Sequence, residues 1–385
     1  MGLYTKIRNI MKLLFKVFLF LVAAGVIYWW GFYQTPEQKE FKKTLAIAEK
    51  GNGAAQLRIG DFYAQGYGVE KSGKQAIEWY RKSFQNGTSQ AAWKLAQTYI
   101  EQKNWDEAAT YLQVAVQDKN AAAENELGRF YEEGLGGLPK HRGQSFYWRI
   151  LAAQKGDQIA AQWLKQEQQN DPDFYDKEQA FADNLQAAEA GNVAAMLQVA
   201  RSYQEGDDIL QDMQQAEQWF TKAWQERKEA QIGYELAQFY LNKKNPLADE
   251  EKGVSLLAEL AELSYAPAQY TLGERSYQED PPNYKDAFAW FSNAAANADA
   301  RGQYMTGFML MQGQGMTCSV PLAIRFFKQA AEQEHADAQY VLGQIYYKGL
   351  GVAADKKAGE QWIQRASQNG SVPAQAFLES ISTSY

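Results

Sequence analysis

The sequence predicts an all-α repeat protein, about nine helical hairpins in a row behind a single apolar N-terminal helix. Three observations carry this. A core pattern of an aliphatic residue, Gly or Ala, two variable positions and Tyr recurs at spacings of 32 to 37 residues, with one gap of 72 that is two periods. Each copy is followed by a second helical stretch with an aromatic residue one turn in and a glycine near its end. Ahead of these copies, no charged residue occurs between Val17 and Glu37.

Residues 1–10 are expected to form a short basic cytoplasmic tail. Residues 11–33, MKLLFKVFLFLVAAGVIYWWGFY, are expected to be a transmembrane anchor. As a helix, 23 residues reach about 35 Å, enough for a hydrocarbon layer of roughly 30 Å. Lys12 and Lys16 would snorkel at one end, and Tyr28, Trp29, Trp30 and Tyr33 would form an aromatic belt at the other. A cleaved signal peptide is the competing reading, but no A-x-A site closes the apolar run. Four Lys and Arg flank the span on each side, so orientation rests on the tail having no acidic residue. It favours an N-terminus inside a single-pass inner membrane and a periplasmic body.

A leading helix is expected at 34–52, the repeat array at 53–370, and a capping helix and tail at 371–385. The core pattern stands at Ile59/Gly60/Tyr63, Leu95/Ala96/Tyr99, Leu127/Gly128/Tyr131, Val199/Ala200/Tyr203, Leu236/Ala237/Tyr240 and Leu342/Gly343/Tyr346. Leu272/Gly273 and Thr306/Gly307 are weaker copies in step with these. A degenerate unit fills the double gap, with helices expected at 158–167 and 177–190 and a loop at 168–176. The small residue after the aliphatic one lets two helices approach closely. The second-helix aromatics Trp79, Tyr111, Trp148, Trp219, Trp290, Phe326 and Trp362 are expected to fill the wider gaps to the next unit. Gly51, Gly87, Gly156, Gly191 and Gly370 fit left-handed C-caps. Four G-x-G turns, such as Gly313-Gln-Gly315, follow helices and recur at one repeat position, so they read as a need for positive φ and not as phosphate cradles.

The composition excludes several functions. One cysteine, Cys318, allows no internal disulfide and no thiolate cage, and the two histidines, His141 and His335, lie far apart. No metal, cofactor or enzymatic role is expected, and no familiar catalytic motif occurs. The acids Glu132-Glu133, Asp207-Asp208 and Asp249-Glu250-Glu251 read as solvated charge. His141 and His335 read as exposed loop residues and Cys318 as a bland semi-exposed thiol. Asn86-Gly-Thr88 and Asn369-Gly-Ser371 match a glycosylation sequon, but their cap position explains them. Residues 1–33 hold four of the 39 basic residues and none of the 46 acidic ones, leaving the body at −11. Phosphate backbones would repel it, so no nucleic-acid partner is expected.

The combination A-x-A-Q-Y-x-L-G-x-x-Y-x-x-G-x-G-V, followed by K-A-x-x-W and small residues, resembles the Sel1-like repeat family, relatives of tetratricopeptide repeats. Gly53–Gly87 and Ala336–Gly370 match closely, and the resemblance runs over roughly 38–380. It implies a right-handed α-solenoid whose first helices line a concave face, and a protein that acts as an adaptor for protein or peptide partners. By register with related repeats, that face takes Trp93, Asn125, Tyr234, Tyr270, Tyr304 and Tyr340 from the position two before the aliphatic residue. Asp61, Gln97, Arg129, Arg201, Gln238, Glu274 and Gln344 come from the position after the Gly or Ala. A partner lying along this aromatic floor is one reading; tyrosines packed between neighbouring first helices are the other. The resulting expectation is a membrane-anchored scaffold on the outer side of the inner membrane. Its alternative, which the resemblance also implies, is an immunity protein that neutralises a lipase or peptidoglycan-active toxin in the periplasm.

Overall fold

The computed structural model of the chain describes residues 2–32 and 34–382, with side chains for 7–9, 11–25 and 34–381. All regular structure among them is helical, an all-α solenoid of repeats without strands. The chain divides into two compact units: residues to Ala182 together with Asp208–Leu210, and Asp183–Asp207 with everything from Gln211 onward.

The first unit holds α1 (Gly2–Phe32), α2 (Pro36–Ala48), α3 (Gly53–Gln65), α4 (Gly73–Gln85), α5 (Gln90–Glu101), α6 (Trp105–Ala115), α7 (Ala121–Glu133), α8 (Arg142–Gln154) and α9 (Gln158–Asn170). A 3₁₀ turn, Val116–Asp118, follows α6. Helix α10 (Pro172–Glu189) runs across the division. The second unit continues with α11 (Val193–Glu205), α12 (Met213–Glu226), α13 (Ala230–Leu241), α14 (Glu250–Glu262), α15 (Ala266–Gln278), α16 (Tyr284–Ala296), α17 (Ala300–Gln312), α18 (Val320–Glu332), α19 (Ala336–Lys348), α20 (Lys356–Gln368) and α21 (Val372–Ser382). The helices pair in order, odd with even, from α3 to α8 in the first unit and from α11 to α20 in the second. The division falls within α10, in a stretch that carries no aliphatic–glycine pair.

Helix α1 takes in both the expected tail and the expected span as far as Phe32, with no proline between Gly2 and Phe32 to interrupt it. Among the described residues no helix is long and apolar enough to cross a membrane. The side chains of 26–33, which would complete the expected span, lie outside those described. Within α1 the apolar side chains from Met11 to Val22 are exposed, Phe20 at 73%.

The degenerate unit differs from its expectation. The loop expected at 168–176 is helical except at Asp171, which alone separates α9 from α10. Pro172 forces its predecessor out of the helical region, and Asp171 sits at φ −147°, ψ 76°. Proline then opens α10, and Asp171 Oδ1 accepts the Phe174 N–H at 3.2 Å.

Helix starts follow the sequence closely. Asn52, Asn120, Asp157, Asn192 and Asp299 each accept the amide three residues on, a cap worth about 1 kcal/mol. The aliphatic positions Ile59, Leu95, Leu127, Val199, Leu236, Leu272 and Leu342 are all buried. What closes a hairpin on its small first-helix residue is the side chain after the second-helix aromatic. A Cβ at Gly273 would stand 2.7 Å from the Phe291 ring, and one at Gly343 would stand 2.6 Å from Ile363 Cγ1. Tyr80, Leu112, Phe220 and Phe327 hold the same place and are buried, whereas Trp219, Trp290, Phe326 and Trp362 are half-buried. Several carry a cation three residues on, such as Lys82 Nζ over Trp79 at 4.2 Å.

The five expected C-cap glycines have positive φ, as do all eight glycines of the G-x-G turns. Gly315 shows a second requirement. Any Cβ there would collide with the Tyr284 carbonyl oxygen at the start of α16, so the turn lies directly on the previous hairpin.

Candidate functional site

Burial of the aliphatic–small pair orients each first helix. Positions two before and two after the aliphatic residue are four apart and therefore share a face. In the first unit, Trp93 and Gln97 of α5 and Asn125 of α7 line one groove of about 340 Å³ with Ile159 of α9. Arg129, next on that face, bonds Glu126 at 2.8 Å and Glu133 at 3.3 Å. Asp61 accepts the Tyr80 hydroxyl at 2.8 Å and meets Lys94 at 3.3 Å, so its carboxylate braces a hairpin.

In the second unit, Arg201, Tyr234 and Gln238 line a groove of about 600 Å³ between α11 and α13. Arg201 grips Glu235 through two nitrogens at 2.7 to 3.1 Å, a bidentate pair spanning two hairpins. Gln238 is exposed. The tyrosines are less free than expected. Tyr234 meets the Tyr265 ring edge-on at 5.7 Å, Tyr270 lies under Arg301 at 4.2 Å, and Tyr304 stacks on His335 at 4.9 Å. In each case the roof stands 31 residues further on, so the next hairpin covers the ring of the last. Burial, with Glu274 beside it, pushes the Tyr270 phenol up; burial also raises Tyr304. Each of these rings is met by a group from the following hairpin. Glu274 is half-buried below them, and Gln344 donates to the Tyr340 hydroxyl at 3.2 Å.

Both histidines were misplaced as exposed loop residues. His141 caps α8 through Nδ1, which accepts the Gln144 N–H at 3.0 Å, and His335 caps α19 by accepting from Ala338 at 3.3 Å. Both are half-buried. Several of the acids also do more than face solvent; Glu132 pairs with the buried Arg149 at 2.6 Å, Asp208 with Lys177 at 2.8 Å, and Asp249 accepts the Lys252 N–H at 3.0 Å. Cys318 is exposed. Among the described residues, no three His, Cys, Asp or Glu side chains are placed to share a metal ion.

Sequence reasoning missed a staple between hairpins. Gln56, Gln269, Gln303 and Gln339 are buried three positions before the aliphatic residue. Each donates to a carbonyl near the end of the preceding helix, as Gln339 does to Ala331 at 3.0 Å. Each also accepts from the C-cap amide of its own second helix, as Gln339 does from Asn369 at 3.0 Å. The signal was available: Gln in A-x-A-Q and an Asn or Gln 28 to 30 positions later. The amide nitrogens of Asn86 and Asn369, the sequon asparagines, are used here. In the α7–α8 hairpin an ion pair, Glu124 with Lys155, takes the place of the amides.

Against families of known proteins, the Sel1 repeat model matches residues 53–88, 121–157, 193–223, 266–299, 300–335 and 336–371, more than half of the chain. The chain belongs to the Sel1 repeat family. Between its first and last match the model leaves out α5–α6, α9–α10 and α13–α14. Among curated proteins this Sel1 repeat chain is 25% identical over 285 residues to the chitin synthase regulator SKT5 of Saccharomyces cerevisiae, covering 69% of this chain and 40% of that one. It is 27% identical over 242 residues to chitin synthase regulatory factor 3 of Schizosaccharomyces pombe, covering 49% and 25%. The chain thus spans less than half the length of both. Among solved structures, c5321, a protective antigen of uropathogenic Escherichia coli with an SLR fold, aligns over 89% of this chain and 90% of its own at 23% identity, with a TM-score of 0.46.

Proposed function

We propose that this Sel1 repeat protein is a non-catalytic scaffold that binds a protein partner on the first-helix face. The observation that carries the reading is the division of labour within a hairpin. Second helices spend their buried side chains closing on the aliphatic–small pair, whereas exposed first-helix groups such as Gln97 and Gln238 close nothing. Two curated relatives named as regulators of an enzyme are consistent with a role exerted through binding. Attachment to a membrane through residues 11–33, with the repeats outside the cytoplasm, is part of the same proposal. Its support is the exposed apolar stretch of α1 and the basic N-terminal residues.

The test is quantitative capture after crosslinking in cells, comparing the wild type with Gln97→Arg and Gln238→Arg, which add bulk and charge at exposed positions. The scaffold reading expects one partner set to be lost with melting unchanged. Capture of a single secreted toxin, with rescue from it on co-expression, would establish the immunity role instead. Carbonate extraction tests attachment: release of the full chain into the soluble fraction would remove the membrane from the account.

A further inference from the structure

Two of the four amide staples end in a reactive pair. Gln56 accepts from Asn86 at 2.8 Å and Gln339 from Asn369 at 3.0 Å, and glycine follows each asparagine. In the other two, Asn297 precedes Ala298, and the partner of Gln303 is Gln333. In an Asn-Gly pair the side-chain amide is open to attack by its own backbone, because glycine sets no Cβ beside the incoming nitrogen. The glycine N–H loses its proton to base, the nitrogen bonds to the asparagine Cγ, and the Cγ–Nδ2 bond breaks with release of ammonia. Water then opens the cyclic imide at either carbonyl, leaving aspartate or isoaspartate. One water enters, one ammonia leaves, and nothing is oxidised or reduced.

The closed staple withholds each part of this reaction. The Gly87 N–H donates to the Phe84 carbonyl at 3.0 Å and the Gly370 N–H to Ser367 at 3.1 Å, so the nucleophile keeps its proton. Asn86 and Asn369 sit at ψ 20° and 13° as helix C-caps, whereas ring closure needs Cβ to eclipse the following nitrogen. The glutamine Oε1 holds the amide nitrogen that would leave. Water nevertheless reaches both pairs. Residues 86, 87, 369 and 370 are exposed, and nothing lies within 4 Å of where a Cβ would stand on either glycine. Protection therefore rests on local conformation, which helix ends lose more readily than the core.

The product cannot take the amide's place. A carboxylate at 86 or 369 only accepts, and it would face the Oε1 of Gln56 or Gln339. Turning the glutamine amide over gives no escape, since its Nε2 already donates to the Ala48 or Ala331 carbonyl at 3.0 Å. Isoaspartate also adds a carbon to the main chain at the C-cap. We propose that Asn86 and Asn369 are deamidation sites guarded by their own staples, so that an opening long enough for ring closure turns a reversible loosening of α4 or α20 into a permanent one.

The experiment incubates the full chain in warm, mildly alkaline buffer and follows each site by peptide mass spectrometry, with chromatographic separation of isoaspartate. Wild type, Gln56→Leu and Gln339→Leu are compared folded and in guanidinium. Conversion at Asn86 and Asn369 is expected to be about tenfold slower in the folded wild type than in guanidinium. Gln56→Leu is expected to speed Asn86 alone, and Gln339→Leu to speed Asn369 alone. Asn86→Asp is expected to lower the melting temperature, whereas Asn52→Asp leaves it unchanged, because a carboxylate at 52 still accepts the Ala55 N–H. Equal rates folded and unfolded, or no effect of either glutamine substitution, would overturn the guard. Acceleration of both sites by one substitution would trace the effect to global unfolding and overturn it as well. Unchanged melting in Asn86→Asp would overturn the permanence of the opening.

Discussion

The Tyr304 ring lies flat on the His335 imidazole, centroids 4.9 Å apart and planes 17° from parallel, while His335 Nδ1 caps α19. One histidine thus serves two hairpins: it covers the tyrosine of α17 and starts the helix of α19. Equivalent first helices use Asn52, Asn120 and Asn192, which cannot titrate.

A pH dependence follows. Burial holds the His335 pKa below its ordinary value, against the pull of Asp337 and Asp299, with Arg301 adding to the depression. The unfolded chain then binds the proton first, so stability present above about pH 6.5 is lost as pH falls through the lower folded value. Protonation also takes the acceptor from the Ala338 N–H. In melting experiments between pH 7.5 and 5, His335→Asn is expected to lose less stability on acidification than the wild type. Parallel curves would contradict this.

Glu178 gives the opposite sign. Burial, with Asp208 next, raises its pKa to about 7, and Lys177 and Arg142 offset this only in part. Its contribution is fully present below its ordinary pKa and is lost as pH rises through about 7. Glu178→Gln is expected to be neutral near pH 4.5 and stabilising by up to roughly 3 kcal/mol above pH 8. A denaturant series at three pH values reads this.

The staple predicts a cost for a substitution that keeps size. Gln339→Leu leaves the Ala331 carbonyl and the Asn369 amide without their partner, at about 1–3 kcal/mol. Urea unfolding measures it. A change below a few tenths would make the staple incidental.

Backbone strain predicts a gain. Ala298 ends α16 at φ +62°, where other hairpins place glycine, such as Gly370 at +90°. Ala298→Gly is expected to stabilise by about 0.5–1 kcal/mol, through relief of the αL cost to a Cβ. Gly273→Ala, which sets a Cβ against Phe291, is expected to cost about 1–3 kcal/mol.

The hairpins were legible because burial at Leu127 or Leu342 and close approach at Gly128 or Gly343 impose residue types at a fixed period. Register alone does not reveal which neighbour of an aromatic closes on the glycine, since Trp290 and Phe291 both suit a helix interface. The helical course of 168–176 was hidden because Asp171-Pro172 reads as a loop and here is a one-residue break. Of the residues assigned to the face by register, Trp93, Gln97 and Asn125 line one groove. Register did not reveal the groups over Tyr270 and Tyr304, because Arg301, in the first turn of α17, and His335, the cap of α19, belong to the next hairpin.

The central claim is that partners engage first helices and not second ones. Site-specific photocrosslinkers at Gln97 and Gln238, compared in cells with others at Glu78 and Lys328 on second helices, test it most directly. The account predicts adducts of one partner at Gln97 or Gln238 and none at Glu78 and Lys328. Adducts confined to Glu78 and Lys328 would contradict it.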